Sequence, residues 1–408
     1  MLTIKEPNGM PPCQEACPAH IDVPRYVRHI AQGDFHQALL VIYEKIPFPS
    51  VCGHICARPC EARCNMRFID DPIAIRSLKR VAAEKGGPVT LESPSFKTGN
   101  KVAVIGSGPA GLTAAFHLTR LGHEVYVFEA QEKTGGMMRL QLSGNGLKKE
   151  VLDAEINTIK GIGFNLHTGT KIESIDELLM KGYGVTLVAV GAPRKTEAGV
   201  VGEEPEGLKK LGLSPTENGT VKVDKDTMST GIKGVFACGD VTTGVRSVIY
   251  GIASGRKAAE SIDRYLGGEG DITLRLAPPE GEITHFMPDL TVTRMDIHSL
   301  PPQEGINHFA DGEQPLVEEA AITEAKRCLR CDLPIIADTD SCCGCITCEL
   351  VCSLKEDSFN PLMAAVKIEK IRGGAEFGIA FTTECDSCGL CVRYCPRETL
   401  TRERKEEG

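Results

Sequence analysis

The stretch KVAVIGSGPAGLTAAFHLTRLGHEVYVFEA, residues 101–130, decides the fold. After its first residue KVAVIG carries no charge and is rich in Val and Ile, which predicts a parallel strand buried on both faces. GPAGLTAAFHLTRLG reads as a helix and HEVYVFEA as a second strand, so the stretch forms one β-α-β unit. Between the first strand and the helix stands G-x-G-x-x-G, made of Gly106, Ser107, Gly108, Pro109, Ala110 and Gly111. These glycines permit a tight turn and let backbone N–H groups approach a pyrophosphate at the helix N-terminus. Glu129 closes the second strand, where a carboxylate accepts from a ribose hydroxyl. The competing reading, an α/β core with glycines for packing alone, is disfavoured because strand, helix and acid all stand in the required order.

Working outward, GVTLVAVGA (residues 184–192) and GVFACGD (residues 234–240) predict two more buried strands. VIYGIASGRKAAESIDRYL (residues 248–266) predicts a helix that closes the domain. Upstream, IDVPRYVRHIAQGDFHQALLVIYEKIP (residues 21–47) has apolar residues at helical spacing, with Gly33 as a stop between two helices. GGPVTLESPSFKTGN (residues 86–100) reads as a linker. The Pro-rich sequence from residue 267 to about 314 reads as an extended connector, ending in a helix, PLVEEAAITEAKRC.

The chain has 408 residues, of which 41% are hydrophobic and 25% charged, ordinary values for a globular protein of two or three domains. A formal charge of −9 without a long basic run gives no electrostatic footprint for nucleic acid. MLTIKEPNGMPP has no apolar signal segment, and no apolar run reaches the ~20 residues of a membrane span, so a cytoplasmic protein is expected. In that reducing compartment the 18 cysteines point to metal binding rather than to disulfides, the competing reading. Six lie within residues 13–64, nine within residues 342–395, and Cys238, Cys328 and Cys331 stand apart. Cys238 lacks a second cysteine nearby and reads as a small buried hydrophobe. His20, His54, His117 and His123 are scattered and read as surface or structural side chains, and no catalytic acid, base or nucleophile stands out.

Near the C-terminus C-x2-C-x2-C-x3-C occurs twice, the bacterial two-cluster ferredoxin pattern, whose fourth cysteine ligates the other cluster. The crossing assigns Cys342, Cys345, Cys348 and Cys395 to one [4Fe–4S] cluster and Cys385, Cys388, Cys391 and Cys352 to another. Zinc, the competing reading, favours paired C-x2-C units with distant partners. Cys343 is left over.

EKTGGMMR (residues 132–139) and GVFACGD resemble the motifs of two-dinucleotide-binding-domain flavoproteins. The resemblance implies FAD, with Gly135, Gly136 and Met137 near its phosphates and Asp240, after Gly239, on the ribityl chain. Gly191 falls at the end of the strand VAVGA, and Ser247 and Val248 would point a helix N-terminus at the flavin pyrimidine. CQEACPAHIDVPRYV, PFPSVCGHICARPCEARC and AIRSLKR, followed by these motifs, resemble the glutamate synthase small subunit and the matching part of dihydropyrimidine dehydrogenase. That family inserts an NAD(P)H-binding domain after VAVGA. Here the segment before Gly239 contains no second glycine fingerprint and is too short for one, so the domain is expected to be missing. The loop LQLSGNGLKKE (residues 140–150) also departs from the family pattern.

The resemblance further implies two N-terminal clusters, one using a CLxC pair that normally precedes the segment matching Cys13. In this sequence the pair stands at Cys328 and Cys331, and it is expected to return and join Cys13 and Cys64. Cys17, Cys56 and Cys60 would hold the second cluster. Its family oxygen ligand is replaced by Lys79, leaving Cys52 as the available fourth ligand.

The expected architecture is an α-helical iron–sulfur domain (1–85), a Rossmann-like α/β FAD-binding domain (98–270), a connector with the helix carrying Cys328 and Cys331 (271–332), and an α+β ferredoxin-like domain (333–408). FAD and four [4Fe–4S] clusters are expected. The leading functional expectation is an electron-transfer subunit of an anaerobic oxidoreductase complex, with substrate chemistry in a partner catalytic subunit and ferredoxin or another carrier as a further partner. CCGCITCELVCSLKEDSFNP (residues 342–361) resembles ferredoxin-like subunits serving molybdenum or tungsten enzymes and carbon monoxide dehydrogenases. The alternatives are a self-contained NAD(P)H-dependent oxidoreductase and a non-enzymatic redox sensor.

Overall fold

In the computed structural model the described residues are 2–7, 9–142, 148–196, 199–244, 247–273, 275–279, 283–286, 292–295, 315–356, 358–371 and 376–404. Strand β1 (Leu2–Lys5) leads into helices α1 (Pro12–Ala16), α2 (Val23–Ala31), α3 (Phe35–Tyr43), α4 (Pro49–Ile55), α5 (Pro59–Ala62) and α6 (Ile75–Lys85). Asp22 caps α2 by accepting from the Arg25 N–H at 3.2 Å, and Asp34 caps α3 through the Gln37 N–H at 3.0 Å. Gly33 makes the stop between them at φ +79°, the left-handed region that favours glycine. Helices as short as α1, α4 and α5 do not stand alone in water, so packing must hold them. The cysteines sit at their ends, with Cys17 closing α1 and Cys56 closing α4.

The middle of the chain supplies β2 (Lys101–Ile105), α7 (Pro109–Arg120), β3 (Glu124–Phe128), α8 (Met137–Leu142), α9 (Lys149–Lys160), β4 (Asn165–His167), α10 (Ile175–Met180) and β5 (Val185–Val188). The hairpin β6 (Arg194–Thr196) and β7 (Gly199–Val201) follows, then α11 (Pro205–Lys210), β8 (Val235–Ala237), α12 (Asp240–Thr243) and α13 (Val248–Tyr265). The sheet order is β4-β3-β2-β5-β8, and every pairing is parallel. Val102, Ala103 and Val104 are fully buried, as an uncharged central strand requires. Helix α13 presses on α7 so closely that a Cβ on Gly255 would meet the Ala110 carbonyl oxygen at 2.2 Å. Between β5 and β8 the described residues form one short hairpin and one short helix.

The C-terminal elements are β9 (Ile283–Phe286), α14 (Glu318–Lys326), β10 (Ile335–Asp338), α15 (Thr347–Ser353), β11 (Val366–Lys370), β12 (Phe377–Phe381), α16 (Leu390–Arg393) and β13 (Leu400–Arg404). A four-stranded sheet runs β1-β10-β13-β9. Its first pairing sets Leu2 opposite Asp338 and Lys5 opposite Ile335. The expected boundaries differ from this in two places. Residues 2–5 belong to the C-terminal sheet rather than to the helical domain, and residues 283–286 of the expected connector form its other edge. Both are short edge strands that gain their partners only from distant parts of the chain.

Two buried carboxylates tie these layers together. Glu155 of α9 accepts from the Ser50 N–H at 2.5 Å and the Val51 N–H at 3.3 Å, pinning the parallel-sheet domain to the start of α4. Glu324 of α14 is fully buried; it accepts from the Ala74 N–H at 2.9 Å, the Met295 N–H at 2.9 Å and Arg327 Nη1 at 2.7 Å.

Burial pushes the Glu155 carboxyl up to about 7 from an ordinary 4.5, against the hydrogen bonds that pull it down. A raised carboxyl contributes its stability fully below the ordinary value and loses it as pH rises through the folded value. At 1.36 kcal/mol per pH unit, ionising Glu155 in place costs roughly 3 kcal/mol. The thermal midpoint is therefore expected to fall between pH 5 and pH 8, and Glu155→Gln is expected to flatten that dependence; equal slopes by calorimetry would refute this.

Candidate functional site

The turn between β2 and α7 requires Gly106 at φ +104°, where a Cβ would also meet the Ala189 carbonyl oxygen at 2.5 Å. Gly111 lies where a Cβ would meet the Gly106 oxygen at 2.1 Å, so the helix packs on the turn itself. Gly108 differs, because its φ of −72° suits any residue and a Cβ there would have nothing within 4 Å. The space it leaves open is at the helix N-terminus, where a pyrophosphate would lie against Ser107, Pro109 and Ala110. Gly135 and Gly136 turn at φ +111° and +49°, and a Cβ on Gly136 would meet the Gly108 Cα at 3.0 Å. Met137 then begins α8.

Glu129 is buried beyond the end of β3. Its Oε2 accepts from the Ser107 N–H at 3.0 Å and the Ser107 hydroxyl at 2.5 Å, and its Oε1 from the Gln131 N–H at 2.9 Å. Gly191, at φ +76°, follows β5, and Gly239, at φ +79°, sets Asp240 as the first residue of α12. Ser247 caps α13 by position only, and its buried hydroxyl has no partner among the described residues. An orphaned hydroxyl at the N-terminal end of α13 suits the carbonyl edge of a flavin ring. The residues present fit FAD. Residues 143–147 of the departing loop lie outside the described residues.

The cysteines gather into four sets. Cys13, Cys64, Cys328 and Cys331 come from opposite ends of the chain and meet. Burial pushes the Cys13 thiol well above its ordinary value, and Cys331, Cys64 and Cys328 push it further. Cys64 rises to about 11 through burial, partly countered by the Ile73 and Met66 N–H groups. The pair is delivered by Arg327, fully buried, which donates to Asp70 Oδ2 at 2.8 Å and to the Asp71 carbonyl at 2.8 Å. Arg28 secures the far side through Asp332 at 2.5 Å.

Cys17, Cys52, Cys56 and Cys60 surround Lys79, which is 2% exposed. Burial pulls its ammonium down, but Cys56, Cys52, Cys60 and Cys17 outweigh that and hold it above its ordinary value. Burial raises Cys60 to about 12, with Lys79 opposing and Cys17 and Cys56 adding. Cys52 is fully buried and feels both Lys79 and Cys56, so it stands with this set.

In the C-terminal part a cavity of about 410 Å³ is lined by Cys352, Cys385, Cys388 and Cys391. A second, smaller cavity is lined by Cys342, Cys345, Cys348 and Cys395. Cys343 is exposed beside Cys345. Among the described residues no three Cys, His, Asp or Glu side chains converge as on a single ion. A four-iron cube holds its cysteines apart rather than on one point. Buried thiols that raise one another are poor thiolates until a positive centre offsets their charge, and an iron–sulfur core supplies that centre. The donor sets fit such clusters.

The remaining candidates are structural. Cys238 is fully buried, and burial pushes its thiol up to about 12. His117 is held well below its ordinary value by burial, then by Arg256 and Arg120. His123 is buried, with Nε2 2.8 Å from Asp263 and Nδ1 2.8 Å from Thr98, and His54 Nδ1 lies 2.8 Å from the Ser50 carbonyl. His20 is exposed beside the Gln14 carbonyl. Arg402 escaped notice in the sequence: it lies in the final strand, away from every motif, yet is buried beside Cys331 and Cys391.

Residues 8–87 match the family dihydropyrimidine dehydrogenase domain II, 4Fe-4S cluster, and residues 104–168 match an NAD(P)-binding Rossmann-like domain. The chain is 34% identical over 229 residues to the NADP(+)-dependent formate dehydrogenase subunit beta of Moorella thermoacetica, covering 50% of this chain and 32% of that one. It is 34% identical over 212 residues to the NADPH-Fe(3+) oxidoreductase subunit beta of Geobacter sulfurreducens, covering 50% and 31%. It is 32% identical over 206 residues to the NADPH glutamate synthase small chain of Mycobacterium tuberculosis, covering 49% and 42%. The chain thus spans less than half the length of these curated relatives. Among solved structures, thioredoxin reductase from Lactococcus lactis shares 14% identity at a TM-score of 0.29, over 41% of this chain and 99% of that one. The chain carries an N-terminal iron–sulfur domain and a Rossmann-like nucleotide-binding domain, and no helix among its described residues is long and apolar enough to cross a membrane.

Because Cys64 and Cys328 stand in one set, Cys64→Ser and Cys328→Ser are expected to abolish the same low-temperature EPR signal and to leave about 12 of about 16 iron atoms per FAD. Cys385→Ser is expected to remove a different signal. Separate signals lost in the Cys64 and Cys328 variants would break the pairing.

Proposed function

We propose that this chain, related to the glutamate synthase small-subunit family through its iron–sulfur and Rossmann-like domains, is an electron-transfer subunit of a larger oxidoreductase complex. It binds FAD in the cradle of Gly106, Gly108, Gly111, Glu129, Gly135, Gly136, Asp240 and Ser247. Its four cysteine sets hold [4Fe–4S] clusters, which supply one-electron chemistry when bound, and the flavin exchanges electrons singly or in pairs. A catalytic partner subunit, of the molybdenum or tungsten or carbon monoxide dehydrogenase kind, handles the substrate.

One observation carries this reading. The thiol sets adjoin one another from the N-terminal helices to the C-terminal cavities: Cys13 feels Cys60 of the neighbouring set, and Cys331 Sγ lies 3.4 Å from the Cys388 carbonyl. The chain's own residues hold these positions, and every thiol of the four sets but Cys345 is buried or half-buried. Cys52 and Lys79 are buried at one end, and Cys345 is exposed at the other, where a partner can reach it.

A second reading, direct oxidation of NAD(P)H by this chain, draws on the nucleotide-dependent relatives. It has to place the nucleotide on the hairpin β6–β7 and α11, which lack a glycine fingerprint. Under anaerobic conditions dithionite is expected to bleach both the flavin and the iron–sulfur absorption, whereas NADH or NADPH alone leaves the flavin oxidised. Rapid bleaching by either nucleotide would overturn the electron-transfer reading in favour of the second.

A further inference from the structure

Arg402 occupies the seam between two of the cysteine sets. It is 1% exposed. Its Nη1 donates to the Leu333 carbonyl, two residues beyond Cys331, and its Nη2 donates to the Ser387 carbonyl, one residue before Cys388. At the same seam Cys331 Sγ donates to the Cys388 carbonyl at 3.4 Å. The guanidinium lies so close to the Cys388 loop that a Cβ on Gly389, at φ +85°, would meet Nη2 at 2.5 Å.

Among the described residues no ion pair holds this cation. Buried Arg25, Arg28 and Arg327 each face a carboxylate, at 2.9 Å to Glu44, 2.5 Å to Asp332 and 2.7 Å to Glu324. Among the described residues Arg402 has backbone carbonyls as its acceptors, and its Nε has no partner. A buried charge without a counter-charge is strongly destabilising, so the negative charge that offsets it must come from something these contacts omit. The two flanking cysteine sets supply it once they hold iron.

We propose that Arg402 is the positioning residue of the electron-transfer junction between the Cys13, Cys64, Cys328, Cys331 set and the Cys352, Cys385, Cys388, Cys391 set. Its fork fixes the Leu333 and Ser387 backbones, and hence the separation of Cys331 from Cys388. Its charge stabilises the reduced form on both sides. When one electron crosses, one core gains a negative charge and the other loses one, and no bond forms or breaks. A cation shared by both sides favours neither, so it adds no bias to transfer in either direction. Consistent with this placement, burial pushes the Cys331 and Cys391 thiols up and Arg402 counters it at both.

The inference rests on the reading that both sets hold clusters, and the test separates the two. In the intact chain, EPR-monitored redox titration of Arg402→Gln is expected to shift the reduced-to-oxidised ratio of both clusters about tenfold toward oxidised at a given potential, or ~59 mV. Arg402→Lys, which keeps the charge, is expected to retain the native potentials but to weaken the spin–spin coupling between the two reduced clusters. Full iron content with both potentials unchanged in Arg402→Gln, or a shift at one cluster alone, would overturn the inference and leave the functional reading standing. Should Arg402→Gln not assemble, the wild-type protein decides: absence of spin–spin coupling between these two clusters overturns the junction. Native protein lacking one of the two clusters would instead sink the functional reading.

Discussion

The buried Glu324–Arg327 pair is the constraint on which the rest of the structure depends. Both side chains are fully excluded from solvent, and between them they take up the Ala74 and Met295 N–H groups, the Asp70 carboxylate and the Asp71 carbonyl. Removing Arg327 would leave the Glu324 carboxylate buried without its ion-pair partner, a loss of order 3–5 kcal/mol for such pairs. What the pair holds is the end of α14 against the loop before α6. Cys328 follows Arg327 directly, so the pair also sets where the second half of a four-cysteine site stands relative to Cys13 and Cys64.

Around this anchor the chain closes on itself twice. Strand β1 leaves the N-terminus to pair with β10, while α14 packs back beside α2 with Ala321 and Ala325 buried at the contact. Small side chains there let the helix approach the N-terminal core closely. Together these returns bring the C-terminal cavities beside the N-terminal thiols, and Arg393 reaches Met66 Sδ at 3.4 Å across the same boundary. The positive charges that matter, Lys79 within one set and Arg402 between two, are buried among thiols rather than carboxylates. That arrangement is unfavourable unless the sulfurs are anionic.

Much of this was legible in residues with local meaning. G-x-G-x-x-G between a strand and a helix demands one turn geometry, and Gly106 and Gly111 occupy it because a Cβ at either would strike backbone. The two C-x2-C-x2-C-x3-C runs were equally readable: a single cavity collects Cys352 from the first run and Cys385, Cys388 and Cys391 from the second. Less was readable where the partner lies far away in sequence. LTIK at the start has nothing to mark it as an edge strand, and ITHF in the Pro-rich connector has as little, because an edge strand is defined by the strand beside it. Glu155 and Glu324 look like solvated helix carboxylates until their burial is known.

The sequence by itself determined the chemistry available: a dinucleotide cradle, sixteen cysteines in spacings suited to iron–sulfur clusters, and a gap after VAVGA too short for a second nucleotide domain. These are local facts of residue type and spacing, and backbone geometry enforces them over a few residues. Only the tertiary structure decided that Glu155, Glu324 and Arg402 are buried, and that Arg402 lies beside both Cys331 and Cys391. The physical reason is that burial and electrostatic contact belong to the packed assembly of helices and sheets, and neither is encoded in any single segment.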